Sequence, residues 1–490
     1  MSSPKMKFIS KDYTTQEPPE PPRPITDDMV WPVVEAHFNE MGLIRHQLES
    51  CNEGYLSTIK RIIFDNREFT AEVDNDKYTC EFGELVFERP VHKENSDEIR
   101  AITPLECINR DITYKSDMLI DVEVTNPQGF RQRYAKIHLG SVPVMVKSEL
   151  CNLYPIRDDR QKLADLREDL YDAGGYFIVK GMSKVIACQE RTAFNTSYSF
   201  KNKKTAPRYV TYTEVRSCAL SGAHSTVAQV GMMKNGIISA VVPYIDMSTI
   251  PIGILFRALG SGDEMDMVRY ILTDLTDKEC SSLLIPSFEQ ASACTSQSSA
   301  FHYIGRRGKK FMGNKSSKPE PEDFKSDDSD SQTDEEIKEE SLKQEKIKLD
   351  AISYATHLLS VEFLPHLGTG LESFVKKRFY LGYMIYKFLL VQLGRRPVED
   401  RDHFLNKRPA TAGQLLCQQF FSAFRILRNE IINGIERNIR NNSVVNVPSL
   451  INPKIITGSL MSALSNNAWG SRGKIAGISQ NYDRFNLLCS

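Results

Sequence analysis

The ten cysteines of this sequence include no C-x-x-C pair and no Cys/His cluster at metal-ligand spacing, so zinc binding is not expected. Isolated thiols in a chain of 490 residues are those of a reduced, intracellular protein. No N-terminal apolar segment of the secretory type is present. The longest mostly apolar run, 379–393, is too short for a membrane span and is interrupted by Lys387 and Gln392. The nucleophile motif G-x-S-x-G, the Walker phosphate loop and the H-E-x-x-H zinc motif are all missing. A soluble, intracellular protein without a self-contained active site is expected.

One more absence is local. Residues 437–482 contain no Asp or Glu, where about six are expected by composition. They keep Arg437, Arg440, Lys454, Arg472 and Lys474. The second half, 458–480, is rich in Gly, Ser and Asn, which favours exposed backbone and side-chain donors over a packed core. Donors without acids suit a polyanion's phosphates; a solvated connecting loop is the alternative.

The length allows two to four domains. From 320 to 340 eleven acids face two lysines, a net of −9, so the rest of the chain stands at +8 beneath a formal total of −1. The folded part is therefore basic, and 314–345 reads as an acidic, Ser-rich disordered linker. Residues 1–24 form a Pro-rich tail. Thr26-Asp27-Asp28 marks a helix start. Strands are expected over 78–87, 119–124 and 131–139, with a turn at Asn126-Pro-Gln-Gly129. Residues 173–187 predict a hairpin around Lys180-Gly181-Met182-Ser183. Its Gly174-Gly175 is no phosphate loop, since a strand follows instead of a helix. A helical segment is expected from 251 towards 271, and further helices over 346–363 and 372–393. Leu416, Phe420, Phe424, Leu427, Ile431 and Ile435 recur every three or four residues, the packing face of one long amphipathic helix.

The densest charged cluster is Glu399-Asp-Arg-Asp-His-Phe-Leu-Asn-Lys-Arg408. Its close Asp and His suit acid/base chemistry or a metal, and its alternating signs suit an ion-pair network holding a turn.

At this point the local sequences converge on a family. Ala173-Gly-Gly-Tyr-Phe-Ile-Val-Lys-Gly-Met-Ser-Lys-Val-Ile-Ala-Cys-Gln-Glu-Arg191 resembles a hairpin of the second-largest subunit of multisubunit DNA-directed RNA polymerases, archaeal and eukaryotic type. Further matches follow in the family's order: Val142-Pro-Val-Met-Val-Lys-Ser148, Glu214-Val-Arg-Ser217, Ile254-Leu-Phe-Arg-Ala-Leu-Gly260 and Ile304-Gly-Arg-Arg-Gly308. Glu362-Phe-Leu-Pro-His366, Leu381-Gly-Tyr-Met-Ile385, Asp400-Arg-Asp-His403 with Asn406-Lys-Arg408, and Gly477-Ile-Ser-Gln480 complete the series.

The resemblance implies an α+β, multidomain architecture. Residues 25–198 and 407–447 would form the protrusion, 199–406 the lobe with its acidic insert, and 448–490 a partial fork. These would line the cleft for DNA and the RNA–DNA hybrid, as the N-terminal part of a nucleotidyltransferase subunit. Arg472, Lys474, Gln480, Arg484, Lys407 and Arg408 are the expected nucleic-acid contacts. The resemblance assigns no catalytic residue and no metal ligand to this chain; Mg²⁺ would be held by the largest subunit. Expected partners are that subunit, a polypeptide carrying the second half of this one, other polymerase subunits, DNA and RNA, with no membrane. A split subunit or a truncated reading frame is expected from the pattern breaking off inside the fork. Ile475 stands where the family has arginine, and Pro409-Ala410-Thr411 replaces its Leu-acid-Leu, departures that fit a divergent lineage such as a large DNA virus. The expected compartment is nucleus or cytoplasm, or the virion for a virus. The alternative is a non-catalytic nucleic-acid-binding or assembly protein that retains the fold.

Overall fold

The computed structural model describes residues 26–73, 76–93, 99–202, 208–219, 225–245, 249–292, 294–308, 334–441, 443, 445–470 and 475–483. The Pro-rich tail, 314–333, Arg472, Lys474 and Arg484 lie outside them. The expected N-terminal helix runs Asp27–Met41, opened by Thr26 in extended conformation and ended at Gly42. No helix among the described residues is long and apolar enough to cross a membrane.

From Gln47 onward, helices and separate sheets surround two hydrophobic cores, an α+β arrangement. The first sheet holds β1 (Glu68–Val73) and β2 (Asp76–Phe87), then, after the short pair β3 (Val91–Lys93) and β4 (Ile99–Ala101), β5 (Lys115–Thr125) and β6 (Arg131–Pro143). Its order is β1-β2-β5-β6, all antiparallel. Period-two alternation explains β5: Met118, Ile120, Val122 and Val124 are buried while their neighbours are half-buried. The expected turn closes the β5–β6 hairpin, Gly129 donating to the Asn126 carbonyl at 2.9 Å.

Across this sheet lies the long helix Ala412–Arg440, and all six residues of its predicted stripe are buried. Phe424 packs on Phe82 of β2, ring centroids 5.6 Å apart. The start of this helix is capped from another segment: Gln47 Oε1 accepts the Ala412 N–H and Ser50 Oγ accepts that of Gly413. The two backbones meet so closely that a Cβ on Gly413 would sit 1.9 Å from the Ser50 carbonyl oxygen. Helix Pro453–Ser465 packs on both β6 and the long helix, completing the first core.

That helix overturns part of the loop reading of 458–480. Ile456, Leu460, Ala463 and Leu464 are buried, and the intervening small polar residues allow close packing instead of exposing donors. Ser459 Oγ accepts from Gln419, and Thr457 Oγ1 from the Ser141 N–H.

The predicted hairpin is β7 (Phe177–Val179) and β8 (Met182–Ile186), with Lys180 and Gly181 at φ 50° and 74° forming a tighter turn than expected. β9 (Gln189–Thr192) follows directly. The second core is built on β10 (Ser197–Lys201), β11 (Thr211–Cys218), β12 (Ser225–Met232), β13 (Ile238–Val241) and β14 (Ile250–Pro251), paired in that order. The helix Phe374–Gln392 packs on it. The expected helix from 251 towards 271 is two, Ile252–Ala258 and Glu264–Ile271. Gly260, at φ 93°, ends the first, and Ser261 N–H reaches back to the Phe256 carbonyl, a glycine-dependent stop. The helix expected over 346–363 begins earlier, at Asp334, so the backbone of 334–345 is helical and not disordered. It passes into a wide π turn, Leu358–Glu362. The chain returns through β15 (Lys407–Ala410) to the long helix, and β16 (Ser479–Asn481) ends the described strands.

Candidate nucleic-acid interface

Two short ladders carry the expected contacts that are described, Gln480, Lys407 and Arg408. β16 pairs with β8, placing Gln480 opposite Val185 and Asn481 opposite Lys184. β15 pairs with β9, placing Arg408 opposite Arg191 and Lys407 opposite Thr192. Only Ala187 and Cys188 separate β8 from β9, so both ladders hang on one run of backbone.

The β16 edge is fixed from beneath. Asn467 Oδ1 accepts the N–H groups of Ile478 and Ser479 at 3.1 and 2.9 Å. Ser479 Oγ accepts from the indole of Trp469 and donates to the Ala463 carbonyl. Gln419 Oε1 takes the Gly470 N–H. Because side chains alternate along a strand, anchoring Ser479 inward turns Gln480 outward, and Gln480 is exposed. Ile475, at the expected arginine position, is also exposed, 53%.

Lys407 and Arg408 fare differently. Lys407 Nζ lies 3.0 Å from Glu190 and 3.6 Å from Asp402, and the Glu190 hydrogen bond raises its pKa. Its charge is already matched. Arg408 is exposed, with Nη1 donating to the carbonyls of Leu405 and Lys407 at 2.9 and 2.7 Å and no acid partner among the described residues.

The structure adds two arginines that were quoted in the motifs without a role. Arg191 lies over the Phe194 ring at 4.0 Å and donates from Nη2 to Gln414 at 2.8 Å, while its Nε and Nη1 are buried without a partner. Burial lowers its pKa, and neighbouring Arg216 pushes the same way. Arg216, on β11, is exposed. Their signal in the sequence was that each is a cation inside a family motif, Arg191 at the end of one and Arg216 within Glu214–Ser217. Arg191, Arg216 and Arg408 thus form a surface of guanidinium groups lacking carboxylate partners among the described residues, chemistry suited to phosphate oxygens.

The 399–408 cluster is an ion-pair network. Glu399 receives Lys387 at 2.9 Å, Arg396 at 3.0 Å and the Ser199 N–H at 2.7 Å. Arg401 binds Glu214 at 3.0 Å, and His403 Nδ1 accepts the Leu405 N–H. These contacts tie the turn before β15 to the second core and leave neither Asp nor His aimed at a common centre. Among the described residues, no group of three or more His, Cys, Asp or Glu is placed to hold a metal ion.

DNA-directed RNA polymerase II subunit 2 of Arabidopsis thaliana is 31% identical over 497 residues, covering 94% of this chain and 38% of the relative. DNA-directed RNA polymerase II subunit RPB2 of Encephalitozoon cuniculi is 31% identical over 481 residues, 94% and 39% of the two chains. DNA-directed RNA polymerase subunit Rpo2 of Sulfolobus acidocaldarius is 30% identical over 466 residues, 94% and 36%. The chain therefore spans well under half the length of the curated relatives it matches. The RNA polymerase beta subunit family matches residues 42–458, from the segment that caps the long helix to the helix beneath β16, and the chain belongs to that family.

Proposed function

We propose that this chain is the N-terminal part of the second-largest subunit of a DNA-directed RNA polymerase and lines the cleft that holds DNA and the RNA–DNA hybrid. The similarity over 94% of the chain to subunits of that name carries the reading. The first core draws on 51–186 and 410–478 and the second on 215–389, which supports a protrusion of two segments around a lobe; the fork begins near 448 on the resemblance alone. Arg408, Arg191 and Arg216, with Gln480 at the neighbouring edge, guide the phosphate backbone. Arg472, Lys474 and Arg484, outside the described residues, are further contacts that the resemblance implies.

The reaction is nucleotidyl transfer by the assembled enzyme. Mg²⁺ would be held by the largest subunit. Partners are the largest subunit, the polypeptide carrying the second half of this subunit, the other polymerase subunits, DNA and RNA. The complex works in the nucleus or cytoplasm, or in a virion for a viral enzyme.

Affinity purification of the tagged chain from its native source tests this. The largest subunit and template-dependent RNA synthesis should co-purify. Replacing Arg408, Arg472 and Lys474 with Ala should weaken elongation and flatten its salt dependence. Purification without the largest subunit or any RNA synthesis would overturn the polymerase reading and favour the assembly-protein alternative.

A further inference from the structure

A second cationic site lies between the two cores. A cavity of about 450 Å³ is walled on one side by the helix Ile59–Asp65 and the long helix, and on the other by the turn after the π-helical segment. That volume is in the range of small-ligand sites. Arg61, Arg425 and Arg428 line it, the last two on neighbouring faces one turn apart on the long helix. None of the three has an ion pair among the described residues.

Arg428 Nε is buried without a hydrogen-bond partner, an arrangement that costs stability unless something accepts from it. Burial lowers the Arg428 pKa, and the Arg425 charge pushes the same way. The opposite wall supplies Thr369, exposed, between Gly368 and Gly370 at φ 112° and 96°. Two carboxylates also line the cavity. Asp65 is raised by burial, against the pull of Arg61. Glu362 lines it as well, with its charge acting on the Tyr354 hydroxyl.

We infer that this cavity binds a small phosphate-bearing anion, held by Arg425 and Arg428 from the first core and by the Thr369 turn from the second. Guanidinium pairs favour phosphate through parallel charge-assisted hydrogen bonds, and a hydroxyl on a glycine-flanked turn adds a neutral donor. Because its walls come from both cores, an occupied site ties them together, and binding stabilises the folded chain by mass action.

Inorganic pyrophosphate, titrated calorimetrically into the full chain at low salt, is the probe. It should bind saturably and raise the melting temperature. Arg425→Gln, an exposed position whose loss leaves the fold intact, should weaken binding several-fold, and Arg425→Gln with Arg428→Gln at least tenfold. The distant Arg157→Gln should not alter affinity. Competition by ATP stronger than by tripolyphosphate assigns the anion to nucleotides, and equal competition to inorganic phosphates; both support the site. Binding confined to the Arg191–Arg408 surface would leave Arg425→Gln unchanged and overturn the inference, as would citrate competing as well as pyrophosphate.

Discussion

His366 should make the second core sensitive to acid. Its backbone N–H donates to Ser217 Oγ at 3.2 Å, while that oxygen lies 2.7 Å from Nδ1. The Ser217 hydroxyl can then donate to an unprotonated Nδ1, the form that burial favours. Nε2 is buried without a partner, and burial, with Lys377 close by, pushes the imidazole pKa from 6.5 down to about 4. An unfolded chain takes up this proton near pH 6.5, the folded chain only near 4. Stability is therefore full above the unfolded value, falls as pH drops through the window, and is lost completely below the folded value. The shift alone corresponds to about 3 kcal/mol. The ring is only half-buried, so solvent screening brings the expectation to about 2 kcal/mol. Urea denaturation followed by circular dichroism at pH 7 and pH 4.5 measures this. The wild-type chain should lose about 2 kcal/mol more than His366→Gln across that range. A His366 ring proton that titrates near 6.5 by NMR, or parallel losses in the two proteins, would refute the reasoning.

Phe424→Ala should destabilise by about 3–5 kcal/mol, since it opens a cavity facing Phe82 and Phe420 that neighbouring helix and sheet cannot close. Denaturant titration checks it. Gly413→Ala should cost more than about 3 kcal/mol, because its Cβ meets backbone at 1.9 Å. By contrast Gly458→Ala, in a helix interior with nothing within 4 Å, should stabilise by about 0.5–1 kcal/mol; opposite shifts in melting temperature are the readout. Lys387→Met should cost about 3 kcal/mol by leaving Glu399 partly unmatched, and adding Glu399→Gln should recover part of that loss. Additive effects of these two changes in a double-mutant cycle would show the pair to be uncoupled.

The ion-pair network around Glu399 has a consequence for the candidate interface. It ties Ser199 on β10 to the turn that leads into β15, so the strand carrying Arg408 is held by the second core while its helix belongs to the first. Loosening Lys387 should therefore disturb Arg408 as well as lower stability.

Much of this protein is decided locally, and there the sequence suffices. The alternation along β5, the apolar stripe of the long helix, the Asn126–Gly129 turn and the β7–β8 hairpin each follow from spacing within a few residues. The ordered motifs likewise identify the family. Where the outcome depends on a partner distant in sequence, local composition misleads. Residues 458–465 read as an exposed loop, yet their small side chains let a helix pack on β6, more than 300 residues earlier. Lys407 and Arg408 look equivalent in the chain, but β15 pairing sets Lys407 beside Glu190 and leaves Arg408 unmatched. Arg191 and the Arg425–Arg428 pair gain their chemistry only when strands and helices from separate segments close around them. Charge is written in the sequence; whether a charge is neutralised is a property of its neighbours, and only the tertiary structure chooses those.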